Sequence, residues 1–274
     1  MELNFTVYRK NLENLQQKIN LQKGFKTMPL TFAHPAAVLL FSRKSKYINF
    51  SAMVFGSMSP DFEYFLRGQP QGEIGHTFIG FITLNLPLVA LIYFIYHFFI
   101  HQTLVSHLPI LLQDTYTKKV DSNIMVNLVV FIYSALFGMF THVVWDSFTH
   151  INGYMVLNFP AVFTKIYRIY DFEIPLYKLL QHGSTLIGII FIIGYLYFRA
   201  LSQRHENTNV CIKRKLIYWS TLYLVTSVLV IVWYVIDYVS ILNYGIFVVR
   251  IIDSFFISLL LISSYLKYSP LQLD

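Results

Sequence analysis

The sequence predicts an all-α protein of the polytopic membrane class, and three observations predict it. Of 274 residues, 55% are hydrophobic and 13% charged, with a mean hydropathy of +0.53. A soluble domain carries about 25% charged residues, so a chain this apolar could not cover its own surface in water. Five stretches stay apolar over the roughly 20 residues needed to cross about 30 Å of hydrocarbon. Tyr and Trp gather near several of their ends, as amphipathic rings do at a membrane interface. The composition also excludes a disordered chain, a coiled coil and a disulfide scaffold, since Cys211 is the one cysteine. The formal charge of +7 does not point to nucleic acid, because Lys and Arg sit mostly beside the apolar runs, where they face a lipid membrane.

Residues 1–27 are polar, carry Arg9, Lys10, Lys18, Lys23 and Lys26, and lack the apolar centre of a secretory signal. They read as a surface helix or a disordered arm ahead of one integral domain, 28–274, with Met28 an equally good start. Residues 31–41 and 48–58 are apolar but too short to cross singly, so they read as buried, interfacial or re-entrant helices. Spans follow over about 78–100, 124–145, 183–200, 216–239 and 245–266. Pro87 should kink the first, and a tight turn at 242–243 should make a hairpin of the last two.

Five spans place the segment before the first and the loop between the second and third on one side. That side receives His34, Asp61, Glu63, His76, His142, Asp146, His150 and His182. The sharpest element is Thr141-His142-x-x-Trp145-Asp146-Ser147-Phe148-Thr149-His150. At 3.6 residues per turn, His142, Asp146 and His150 form one ladder on one helix face, with Gly153 as the expected stop. Ligands at i and i+4 can grip one ion, and a carboxylate between two imidazoles can bridge two ions or orient a neighbour. The competing reading is an interfacial hydrogen-bond network. Likewise Ser59 and Pro60 read as a helix start with Asp61 in its first turn, which is a structural role in itself. Convergence of five of the nine His and three carboxylates on one side favours a metal site. His97 and His101, at the other end of the first span, lack a carboxylate in register and read as interfacial. Asp237, Arg250 and Asp253 read as an ion-pair network in the last hairpin, since an unpaired charge there is costly.

With Arg250 set aside, Lys and Arg number 12 on the site's side against 8 on the other, and 7 against 8 without residues 1–27. The positive-inside rule therefore leaves the orientation open. There is no Walker loop, dinucleotide glycine fingerprint, H-E-x-x-H or G-x-S-x-G. The remaining donor set, rich in His and Asp and free of thiolate, suits Zn²⁺, Mn²⁺ or Fe, with zinc the first choice.

Met28-Pro29-Leu30-Thr31-Phe32-Ala33-His34-Pro35, Gly56-Ser57-Met58-Ser59-Pro60-Asp61-Phe62-Glu63-Tyr64-Phe65, Gly75-His76-Thr77, the His142 ladder and Gln181-His182-Gly183-Ser184 occur in that order. Together they resemble the bacterial family catalogued as domain of unknown function 4184, from Met28 to about the end of the chain. The resemblance implies a multi-pass protein of the bacterial cytoplasmic membrane and no established activity. More loosely, the chain is similar to membrane-bound metal-dependent hydrolases and to zinc-dependent phospholipase C. Carried over by position, that similarity implies His34, Asp61, His76, His142, Asp146, His150 and His182 as ligands. No N-terminal Trp ligand and no acid four residues after His182 is found, which leaves one or two ions. The reading that results is a metal-dependent hydrolase acting on a phosphoester in a lipid or lipid-linked substrate. Asp146 would anchor or bridge the metal and Glu63 would orient the attacking water. The alternative is a transporter or scaffold whose cluster binds an ion structurally, although a transporter should hold its site near mid-membrane.

Overall fold

Chain order in the computed structural model begins with a 3₁₀ segment, Thr31–Val38, then α1 (Phe50–Met58), a 3₁₀ turn (Ser59–Asp61) and α2 (Phe62–Arg67). Residues 31–113, 123–202, 210–240 and 243–268 are described. The polar stretch 1–27, Met28 and Leu242 of the last turn lie outside them. Five helices are long and apolar enough to cross a membrane, which makes this an integral membrane protein with an all-α, polytopic architecture. They are α3 (Phe78–His107), α4 (Ile124–Thr149), α7 (Leu176–Leu201), α8 (Ile212–Ile236) and α9 (Tyr244–Tyr268).

The third span starts seven residues earlier than hydropathy places it, because its first turns are amphipathic. Tyr177 and Gln181 are buried there beside the exposed His182. In α3, Pro87 follows a π-helical stretch, Phe81–Asn85, so the turn that loses a proline N–H is already widened. Between α4 and α7, α5 (Tyr154–Asn158) and α6 (Pro160–Phe163) lead into an antiparallel hairpin, β1 (Ile166–Ile169) with β2 (Phe172–Pro175). Hydropathy gives no sign of this hairpin, whose strands are too short and too exposed to show a period.

The short apolar segments form a re-entrant hairpin. The 3₁₀ segment lies along α7, where Gly188 leaves room for the Ala33 carbonyl, and α1 returns alongside α4. Asn49 caps α1 by accepting from the Ala52 N–H, while its own N–H donates to Ser134 Oγ at 3.0 Å. Backbones touch where α1 meets α4. A Cβ added at Gly138 would stand 2.7 Å from the Ser57 nitrogen, and one at Gly56 2.9 Å from the Ala135 carbonyl carbon. Ala52, Phe62, Val89, Ala135 and Met139 form the buried apolar cluster around this contact.

Arg250 donates through both terminal nitrogens to the carboxylate and main-chain carbonyl of Asp237 and lies 5.0 Å from the Trp233 ring centroid. Asp253 does not complete the expected trio. Its Oδ2 is buried with no hydrogen-bond partner among the described residues. Arg250→Leu should lower the melting temperature of purified protein by several degrees and leave its metal content unchanged, since the pair ties the ends of α8 and α9 and touches none of the clustered donors. Loss of metal from a well-folded variant would place the cluster on other elements. A second expectation follows from the span count: cysteines at the exposed positions Gln71 and Asn158 should react with an impermeant maleimide from the same face of the membrane. Reaction from opposite faces would break the five-span arrangement.

Candidate metal centre

The donors converge because three elements end at one place. The 3₁₀ segment supplies His34, the 3₁₀ turn ahead of α2 supplies Asp61, and the last two turns of α4 supply His142 and Asp146. His76 comes from the loop entering α3, which is tied from two directions. The N–H groups of Glu73, Ile74 and Gly75 all donate to Glu63 Oε2 at 2.9 Å. Asn85, buried in the π-helical stretch, donates to the Gly75 carbonyl at 2.6 Å.

Asp146 is the hub. Its carboxylate oxygens lie 3.1 Å from His142 Nε2, 3.3 Å from His150 Nδ1, 3.5 Å from His76 Nε2 and 3.6 Å from His34 Nε2. Asp61 Oδ1 lies 3.5 Å from His76 Nε2 and 3.6 Å from His142 Nε2, while Asp61 Oδ2 accepts from the Thr31 hydroxyl at 2.7 Å. Two ligand groups result, His34–Asp61–His142, wholly buried, and His76–His142–Asp146, which opens outward. Four donors each about 2.1 Å from one ion stand about 3.4 Å apart, so the observed separations fit the edges of a coordination polyhedron.

His142 decides what the cluster needs. Its Nδ1 donates to the Ser57 carbonyl at 2.7 Å, which leaves Nε2 of the neutral ring as an acceptor. That acceptor is fully buried and points at two carboxylate oxygens, and among the described residues it has no hydrogen-bond partner. Acceptor against acceptor is repulsive unless a cation or a proton lies between them. His34 Nδ1 and Asp146 Oδ1 are likewise buried and unpartnered among the described residues. His34 stacks on His142 at 3.8 Å with the Trp145 ring edge-on to it. Burial, and then the neighbouring His142, holds the His34 pKa well below the ordinary imidazole value, which keeps the ring in its metal-binding form.

Three expected roles are corrected. His182 is not brought to the cluster: it is exposed, and the buried neighbour Gln181 is the residue that faces His150, with Nε2 3.5 Å from His150 Nε2. Adjacent helix positions differ by about 100°, so only one of the pair can point inward. His150 is no third helical rung, since α4 stops at Thr149 and His150 is extended, though its Nδ1 still reaches Asp146. Glu63 does not face a reacting water, because Oε2 takes three backbone donors and Oε1 takes Arg67 Nε at 2.9 Å. Burial alone would raise its pKa, but the N–H groups of Gly75, Glu73 and Ile74, then Arg67, hold it at about 2. Glu63 is a positioning residue for His76. Glu63→Gln should therefore weaken metal binding about tenfold, the usual scale for such supports, with a lower melting temperature; unchanged metal affinity would sever that link.

Sequence reasoning missed four supports. Asn85 had a signal, a lone amide in an apolar span. Tyr64, whose phenol is pushed above its ordinary value by burial and then by Asp61 and Asp146, sits beside His76 with stacked rings. Thr31 and the Ser57 carbonyl carry no signal that spacing could reveal. Residues 28–264 match the family model described as Domain of unknown function (DUF4184). No curated protein and no solved structure matches the chain.

Proposed function

The chain belongs to the DUF4184 family, whose description names no activity, and from the cluster itself we propose a metal-dependent hydrolase of the bacterial cytoplasmic membrane that cleaves a phosphoester in a lipid or lipid-linked substrate. The observation that carries this is His142 Nε2, a buried ring nitrogen held against two carboxylates by the Ser57 carbonyl behind it, so that a cation or a shared proton must lie between them. His76, His142 and Asp146 would hold the ion, with His34 and Asp61 as further ligands. Zinc suits imidazole and carboxylate donors at these separations. A divalent cation here supplies Lewis acidity and makes a nucleophile of water at neutral pH.

The chain's own residues supply the rest. His76 and His150 are about one-third exposed and form the mouth through which a substrate oxygen would arrive. Asp146 stays at the hub, 14% exposed, and sets the ring orientation of its imidazole neighbours. Tyr64, kept protonated by burial and nearby negative charge, stacks beside His76 and supports its ring. The mouth lies at the ends of apolar spans, which supports a substrate held at headgroup level.

A second reading has its own support: the inner trio His34, Asp61 and His142 is sealed from solvent, as a structural ion's ligands would be. One experiment separates the two. Protein purified in mild detergent, reconstituted with zinc and given a panel of phosphomonoesters and phosphodiesters should hydrolyse at least one class, and His76→Ala should abolish turnover. Bound zinc without turnover on any class would leave the structural ion.

A further inference from the structure

The re-entrant hairpin changes which face of the membrane carries the positive charge. Its tip lies far from the metal centre. Asn49 meets Ser134 on α4, 12 residues before Asp146, which is about 18 Å along a helix. Phe41 packs on Phe137 with ring centroids 5.2 Å apart, and Phe50 stacks on Tyr195 at 6.1 Å. Tyr195 is only six residues from the far end of α7, about 9 Å. Residues 42–47 join Phe41 to Phe50 and so lie further still from the centre, and they contain Arg43, Lys44 and Lys46. Cationic side chains at that depth extend their heads to the nearer interface, which is the far one.

Chain order alone assigns these three cations to the site's side. Transferring them turns 7 against 8 for residues 28 onward into 4 against 11, and 12 against 8 for the whole chain into 9 against 11. The far ends of the spans already carry Arg199, Lys213, Arg214, Lys215 and Lys267. Acidic residues stand on both sides, with Asp114, Asp121, Glu206 and Asp274 in the far-side stretches of the sequence and Asp61, Glu63, Glu73, Asp171, Glu173 and Asp237 on the site's side, and they contribute little to orientation. Loops retained in the cytoplasm carry the excess of Lys and Arg.

We infer that the far ends and the tip of the hairpin face the cytoplasm, and that the candidate metal centre opens on the opposite, non-cytoplasmic side. Its substrates then come from outside the cytoplasm, or from the outer leaflet of the membrane in which it sits. The inference stands on the spans and the hairpin and holds whether or not an ion binds.

The native Cys211 is exposed at the start of α8, on the far side, and provides the first readout. In intact cells expressing the full chain, a maleimide that does not cross the cytoplasmic membrane should leave Cys211 unlabelled until the cells are permeabilised. In a Cys211→Ser background, Gln71→Cys should label in intact cells, and Tyr47→Cys at the tip should label only after permeabilisation. Labelling of native Cys211 in intact cells overturns the orientation. Tyr47→Cys reacting alongside Gln71→Cys, or reacting under neither condition, overturns the placement of the tip. Metal content of the same preparations reports on the hydrolase reading separately.

Discussion

Asp146→Asn should strip most of the metal from a protein that still folds. Wild-type protein purified without chelator should contain about one or two equivalents of a transition metal, as expected for a closed His and carboxylate site. The amide keeps the shape of the carboxylate but loses the charge that balances the ion, and it turns one oxygen into a donor facing imidazole acceptors. Four His nitrogens lie within 3.6 Å of this side chain, so the change acts on every neighbour at once. Metal content should fall about tenfold or more, a loss at least as large as that from removing an outer support. His97→Ala, at the other end of α3, should change nothing. Metal-free wild-type protein whose melting temperature zinc does not raise would defeat the hydrolase reading, and the cluster would then be held by shared protons.

Gly138→Ala should destabilise the fold by about 3 kcal/mol, at the upper end of the range for overpacking. Helix propensity alone predicts the reverse, a gain of about 1 kcal/mol for replacing a mid-helix glycine. Packing wins because the new methyl would fall within contact of the Met53 carbonyl oxygen and 2.7 Å from the Ser57 nitrogen, both main-chain atoms that cannot swing aside. His142 lies one turn along and donates to the Ser57 carbonyl, so separating α1 from α4 should also lower metal content. Thermal unfolding in detergent measures the first effect and elemental analysis the second. A melting temperature equal to or above wild type would show that the two helices are not in backbone contact.

The spans were legible because hydrocarbon thickness imposes a length that few other constraints produce. What hydropathy could not see was any turn with mixed character, such as Leu176–Gln181, where Tyr177 and Gln181 face inward while Lys178 and His182 do not. For residues 31–58 the sequence supported buried or interfacial helices, with a re-entrant pair as the further alternative. The choice among them is made by two glycines, Gly56 and Gly138, which lie 82 residues apart and whose contact no local pattern encodes. In the candidate site, spacing brought out His142 and Asp146 because both lie on one regular helix. His182 and Glu63 were misread for different reasons. Which of Gln181 and His182 points inward depends on the rotation of α7, set by its packing against the 3₁₀ segment. Glu63 looks like a free acid in sequence because its partners are main-chain N–H groups, and every residue but proline has one.

The backbone contact between α1 and α4 has one more consequence, for discrimination among cations. Ser57 on α1 orients His142 on α4, and the glycines allow neither helix to slide or spread without breaking the packing. The aperture between the donors is therefore fixed by the protein and not by its guest. Calcium asks for six to eight oxygens at about 2.3–2.6 Å, and it would have to force this aperture wider while accepting nitrogen in place of oxygen. Magnesium would have to give up most of its tightly held water to sit among imidazoles. A small ion content with few ligands and at ease with nitrogen meets neither obstacle. The close-packed glycines, which carry no ligand themselves, would thus act as a size gauge that keeps the abundant hard cations out.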